Sequence, residues 1–109
     1  MFIALSVSVE VIHSLRPVMN ALRTRDAALS DQLQRAATSV SLNLAEGAKR
    51  TGRDQLHHYR IAAGSCAETR AALAVAAAWG HLDGVDLAAA LALLDREAAL
   101  LHRLTHRRR

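Results

Sequence analysis

Six polar residues recur at helical spacing in the middle of the chain, and their types are the ones that could do chemistry. They are Gln32, Ser39, Asn43, Glu46, Ser65 and Glu68. The first four are separated by seven, four and three positions, so one helix would carry them in a line beside its apolar face. The last two are three positions apart and could face that line from the next helix. Carboxyl groups beside an amide could serve as a general acid and base.

The same six residues, which we call the polar ridge, also fit a structural role. Polar groups that are buried between helices need partners, and hydrogen bonds across the helix interface fix how the helices align. The sequence contains no recognisable pair of nucleophile and base, and no residues that define a substrate pocket. We therefore predict that the polar ridge is structural and that the chain has no catalytic residue.

The elements that must position the polar ridge are helices. Aromatic residues make up only 3% of the chain, and its many Ala and Leu residues are strong helix formers. Apolar residues recur at three-and-four spacing over four stretches, at about residues 4–23, 31–48, 54–79 and 86–106. With short turns, such helices predict an all-α fold, an up-down-up-down antiparallel four-helix bundle that forms one domain over residues 1–109.

Two features predict where the first helices begin and end. Pro17, the only proline, removes a backbone donor inside the first stretch and should kink or divide that helix. Residues 24–29 predict a turn, after which Ser30 or Asp31 would cap the second helix.

The fourth predicted helix carries two apolar stripes. We expect the first stripe to face the core; its residues are Leu87, Leu91, Leu94, Ala98 and Leu101. The second stripe lies about 110° around the helix and consists of Leu93, Leu100 and Leu104. A helix of a monomeric bundle needs one buried stripe, so the second predicts an oligomer interface. Partly exposed leucines that serve no interface are the alternative.

Positive charge is expected to collect at one end of the bundle. The net charge is +4, and the topology would bring the loop after the second helix beside the end of the fourth. We call this group the basic end: Lys49, Arg50, Arg53, Arg103, Arg107, Arg108 and Arg109. Closely spaced cations attract phosphates without reading base sequence, which predicts RNA or DNA binding. A solvated terminal tail is the alternative for the last three.

Other residues give weaker indications. His102 and His106 have the i, i+4 spacing of a helical metal pair, but no third ligand is recognisable, so we predict no metal and no cofactor. The single Cys66 excludes an internal disulfide bond, and no apolar run reaches the length of a membrane span. These features predict a cytoplasmic protein with no membrane partner.

A longer motif resembles a known family. Residues 32–47 read QLQRAATSVSLNLAEG, and the similarity continues through Arg50, residues 61–65 and Glu68. This pattern resembles the four helix bundle protein family, whose members are also called 23S rRNA intervening-sequence proteins. The chain departs from the family pattern at Gly52, where a serine helix cap is usual, and at Arg60, where an apolar residue is common.

The resemblance implies a four-helix protomer that assembles into a barrel-like homopentamer. It also implies kinship with the accessory variability protein of diversity-generating retroelements, which binds a reverse transcriptase and nucleic acid. From the residues and the resemblance together we predict a non-enzymatic oligomeric scaffold whose basic end binds nucleic acid, as an accessory to a nucleic-acid-processing enzyme. The alternative is a structural protein–protein interaction module that does not bind nucleic acid.

Overall fold

A computed structural model describes residues 2–106 of the chain, and this part is all-α. Its five helices are α1 (Ile3–Ser14), α2 (Arg16–Arg25), α3 (Ala27–Ala48), α4 (Gly52–Ala78) and α5 (Ala88–Thr105). No strand occurs between residues 2 and 106. The predicted all-α class is therefore confirmed.

The first predicted helix is two helices, divided at Leu15. The Leu15 amide still donates to Val11 O (3.0 Å), and the Met19 amide donates to Leu15 O (2.8 Å). Pro17 lies in the first turn of α2, where a missing backbone donor costs nothing because that position has no helical acceptor. Proline therefore divides the stretch instead of only bending it.

The predicted turn over residues 24–29 is wrong, because α3 begins at Ala27 and the break between α2 and α3 is confined to Asp26. The Asp26 carboxylate accepts a hydrogen bond from Leu29 N at 3.0 Å, and so caps α3 in place of Ser30 or Asp31. Ser30 is buried, and Asp31 lies within the helix.

The backbone conformation at residue 52 explains why the chain has glycine there instead of the serine that is usual in the family. The φ angle of Gly52 is +57°, a left-handed conformation that glycine adopts at little cost and that serine would adopt only with strain. The residue before it, Thr51, is the N-cap residue of α4, and its side chain forms no capping hydrogen bond. The loop between α3 and α4 thus takes a shape for which glycine is suited.

Four helices contact one another in a closed ring: α1 contacts α3, α3 contacts α4, α4 contacts α5, and α5 contacts α1. The α2 helix packs on α3. The interior is filled by large leucines and small alanines, and burying one leucine contributes about 1.5–3 kcal/mol to stability. The leucines buried most completely are Leu22, Leu33, Leu44, Leu73, Leu94 and Leu101.

The buried face of α5 differs from the predicted face at one leucine. Leu91 is 46% exposed, so its assignment to the core is wrong. The helix is rotated so that the line Ala90, Leu94, Glu97 and Leu101 points inward instead. The acidic residue in that line interrupts the apolar pattern, which is why the periodicity favoured a neighbouring stripe.

Candidate functional site

The polar ridge is built where α3 lies against α4. Ser65 Oγ of α4 donates a hydrogen bond to Ser39 Oγ of α3 at 2.8 Å. Asn43 Nδ2 donates to Ser39 O at 3.0 Å and to Ser39 Oγ at 3.1 Å. These residues are half-buried, so their hydrogen bonds are partly shielded from competing water, and the Ser39–Ser65 bond joins the two helices.

His58 joins the polar ridge, a role that its position in the sequence does not by itself indicate. Its Nδ1 atom lies 3.1 Å from Asn43 Oδ1 across the helix interface. Because Asn43 Nδ2 donates to Ser39, its Oδ1 atom is the acceptor, and His58 Nδ1 carries the hydrogen. The signal in the sequence was spacing: His58 precedes Ser65 by seven positions, two helical turns along one face.

The outer members of the polar ridge behave differently from its centre. Gln32 Nε2 lies 3.5 Å from Glu68 Oε2, a long and exposed hydrogen bond. Glu46 points to the loop and pairs with Arg50 instead of with Ser39 or Asn43. The structure thus separates the two glutamates, and neither lies at the centre of the polar ridge.

Arg50 is held between two carboxylates at the start of α4. Its Nε and Nη2 atoms each lie 3.1 Å from Glu46 Oε2, and Nη1 lies 2.7 Å from Asp54 Oδ2. Hydrogen bonds and charge from Asp54, and then from Glu46, raise the pKa of the Arg50 guanidinium. Gln55 Nε2 also donates to Arg50 O (2.9 Å). Arg50 therefore braces the loop, and its charge is largely neutralised locally.

Ring and groove contacts place the other basic residues at one end. The rings of Phe2, before α1, and Tyr59, in α4, have centroids 6.3 Å apart. Phe2 also lines a groove with Arg103 and Leu104 of α5. The start of α1, the end of α5 and the α3–α4 loop therefore share one end of the molecule.

Three cations at this end are exposed to solvent. Lys49, Arg53 and Arg103 are exposed and form no ion pair with any residue from 2 to 106. The remaining predicted members of the basic end, Arg107, Arg108 and Arg109, lie outside the described residues. The described part of the basic end is thus three exposed cations beside one neutralised arginine.

Four histidines lie close in sequence to Arg53 and Arg103. The rings of His102 and His106 stack with centroids 4.0 Å apart, and His106 Nδ1 lies 3.0 Å from His102 O. His57 and His58 meet edge to face. Among residues 2–106, no three His, Cys, Asp or Glu side chains are grouped so that they could hold a metal ion.

The leucines predicted to form an oligomer interface contact the core of their own chain. Leu93, Leu100 and Leu104 are half-buried and pack against the core. Other apolar side chains are more exposed, among them Leu42 (64%) and Trp79 (70%). No helix of residues 2–106 has an apolar stretch long enough to cross a membrane.

Glu97 is the notable residue that sequence reasoning missed. It is 1% exposed, and neither carboxyl oxygen has a hydrogen-bond partner within the described chain. Burial raises the pKa of Glu97 to about 7, an effect that Arg96 partly opposes. Burial, and then the charge of Glu97, raise the pKa of the Cys66 thiol to about 11. The signal in the sequence was a lone acid at core spacing between Leu94 and Leu101.

The comparisons with known proteins agree with the motif over residues 32–47. The model of the family described as 23S rRNA-intervening sequence protein matches residues 4–103. No curated protein and no solved structure matched the chain. The match extends across all five helices and confirms the resemblance inferred from the motif. The chain therefore belongs to the 23S rRNA-intervening sequence protein family.

Proposed function

We propose that this protein is a non-enzymatic scaffold of the cytoplasm whose basic end binds RNA or DNA without strong sequence preference. The proposal is carried by Lys49, Arg53 and Arg103, three exposed cations without a carboxylate partner among residues 2–106. Each phosphate contact by such a cation releases condensed counterions, so affinity should fall steeply as salt rises. A protein of this kind would serve as an accessory to a nucleic-acid-processing enzyme such as a reverse transcriptase.

The proposed assembly is a ring of identical protomers. We infer that α1 and α2 act together as one broken helix, so that the protomer is an up-down-up-down four-helix bundle, and that protomers form a cyclic homopentamer. The closed ring of helix contacts is consistent with the bundle. Leu93, Leu100 and Leu104 retain exposed surface that a neighbouring subunit could cover. A cyclic ring would bring the basic ends together on one rim and multiply their attraction for phosphates.

The experiment that tests the proposal is fluorescence anisotropy with short labelled RNA and DNA over a salt series. The variant carries Lys49→Glu, Arg53→Glu and Arg103→Glu. Its matched control carries Arg16→Glu, Arg23→Glu and Arg35→Glu, which change the net charge equally at exposed positions of α2 and α3.

We expect at least a tenfold loss of affinity in the first variant and a much smaller loss in the control. Equal losses in both variants would mean that overall charge alone attracts the nucleic acid. An absence of binding at low salt would remove the proposal.

The second candidate function is a structural module that docks a protein partner. One side of α4 presents exposed residues at spacings of three and four: Ile61, Gly64, Glu68, Ala71, Val75 and Ala78. Apart from Glu68, these residues are small or apolar, and such a line permits close approach of another helix. Loss of nucleic-acid binding together with a stable oligomer would favour this function. In this second function, a protein partner would bury the exposed line of α4. Binding of such a partner therefore distinguishes it experimentally from nucleic-acid binding.

A further inference from the structure

The centre of the helix ring contains a carboxyl group with no partner. Glu97 of α5 points into a small cavity to which each helix of the ring contributes. The other residues that line the cavity are Ser8, Val11, Ala37, Val40, Cys66, Thr69 and Leu94. Polar groups from α1, α4 and α5 therefore meet inside an otherwise apolar core.

Both oxygens of Glu97 require hydrogen bonds that the described residues do not supply. When the carboxyl group is protonated, one oxygen is a donor and the other can only accept. Leaving both roles empty in a buried site is strongly unfavourable, and native proteins resolve such cases with ordered water. Because burial raises the pKa of Glu97 to about 7, the neutral form is available at and below neutral pH.

The cavity has room for one water molecule. The space open to the centre of a water molecule is ≈ 10 Å³. A water-sized sphere itself occupies roughly 10–15 Å³, so a space that admits its centre can hold an ordered water.

The polar groups that line the cavity complement a water. Ser8 Oγ donates to Leu5 O (2.7 Å) and lies 2.8 Å from Ser41 Oγ, which leaves one of its lone pairs unused. Thr69 Oγ1 donates to Ser65 O (2.8 Å) and can still accept. The cavity therefore offers hydroxyl acceptors opposite an acid that can both donate and accept.

We propose that this cavity is an internal hydration site, in which one water molecule bridges the Glu97 carboxyl group and the hydroxyl groups of Ser8 and Thr69. The water accepts a hydrogen bond from the protonated carboxyl group and donates its two hydrogens to the hydroxyl oxygens. It thereby ties α5 to α1 and α4 at the centre of the ring. The site is independent of the basic end, so it does not rest on the proposed nucleic-acid binding.

The test is a high-resolution crystal structure of the wild-type protein near pH 5.5, together with water-¹⁷O relaxation dispersion in solution. We expect one density peak within hydrogen-bond distance of Glu97 and one long-lived water per protomer. Glu97→Gln should keep this water, because the amide also donates and accepts. Glu97→Leu should lose it.

Three results would overturn the proposal. One is an empty cavity in the wild-type crystal structure, and another is a carboxyl group turned to a direct protein partner. The third is a long-lived water that persists in Glu97→Leu. The wild-type measurements decide the question even if the leucine variant does not fold.

Discussion

Gly47 of α3 lies directly against the ring of Tyr59 in α4. A Cβ atom at position 47 would stand 2.7 Å from Tyr59 Cε1 and 2.9 Å from Cδ1, distances that real side chains do not adopt. The end of α3 can approach α4 this closely only because residue 47 has no side chain. This contact gives a physical reason for the glycine that ends the family motif over residues 32–47.

Gly47→Ala should therefore destabilise the protein. The buried Tyr59 ring would have to shift, which should lower the free energy of unfolding by about 1–3 kcal/mol. Urea denaturation measures the loss. Gly64→Ala is the matched control, because nothing lies within 4 Å of a Cβ there and alanine favours a helix. Equal stability changes in the two variants would contradict the steric explanation.

Glu97 should make stability depend on pH. The pKa of its carboxyl group is about 7 in the fold, against a reference of 4.5. The stabilisation from the neutral form is therefore full below pH 4.5 and is lost as pH rises through about 7. Glu97→Gln cannot ionise. On going from pH 4 to pH 8, its free energy of unfolding should therefore rise relative to that of the wild type by about 2–3 kcal/mol.

Chemical denaturation at several pH values measures this effect. Glu68→Gln is the matched control, because it makes the same substitution at an exposed position. If the profiles of wild type and Glu97→Gln were parallel from pH 4 to pH 8, the raised pKa would be wrong.

The Ser39–Ser65 hydrogen bond should couple α3 to α4. Ser39→Ala removes the acceptor of two hydrogen bonds, whereas Ser65→Ala removes one donor. A double-mutant cycle should give a coupling energy of about 0.5–1.5 kcal/mol. Thr38→Ala is a suitable control because Thr38 is exposed on the same helix. A coupling energy near zero would mean that the ridge does not fix helix register.

Much of this fold follows from local sequence. Helix propensity and periodicity suffice for the all-α class and for the approximate positions of α3, α4 and α5. Pro17 indicates a break in the first helix, because its effect on the backbone is local. Asp26 shows the limit, since a single capping residue replaced a turn that composition suggested over residues 24–29.

The buried acid could not be predicted in the same way. Whether a glutamate at core spacing is buried depends on how α5 rotates against its neighbours, and this is decided by packing across three other helices. The His58–Asn43 contact depends likewise on the register between α3 and α4. Arg50 illustrates a third case, because the sequence gives its charge but not the two carboxylates that neutralise it.

Arg50 and Arg53 should therefore contribute unequally to any phosphate binding, although both are exposed arginines of the same end. Arg53→Gln removes a cation with no carboxylate partner among residues 2–106, and should weaken nucleic-acid affinity and reduce its salt dependence by about one counterion. Arg50→Gln removes a charge already shared with Glu46 and Asp54, so the affinity loss should be smaller.

The two variants also differ in their expected effect on the loop. Arg50→Gln should speed amide hydrogen exchange over residues 47–55, because the ion pairs that join the end of α3 to the start of α4 are lost. Arg53→Gln should leave that exchange unchanged. Fluorescence anisotropy and amide hydrogen exchange, measured on the same two variants, thus distinguish an arginine that stabilises the loop from one that binds phosphate. Equal loss of affinity with equal exchange would show that both arginines act only as phosphate ligands.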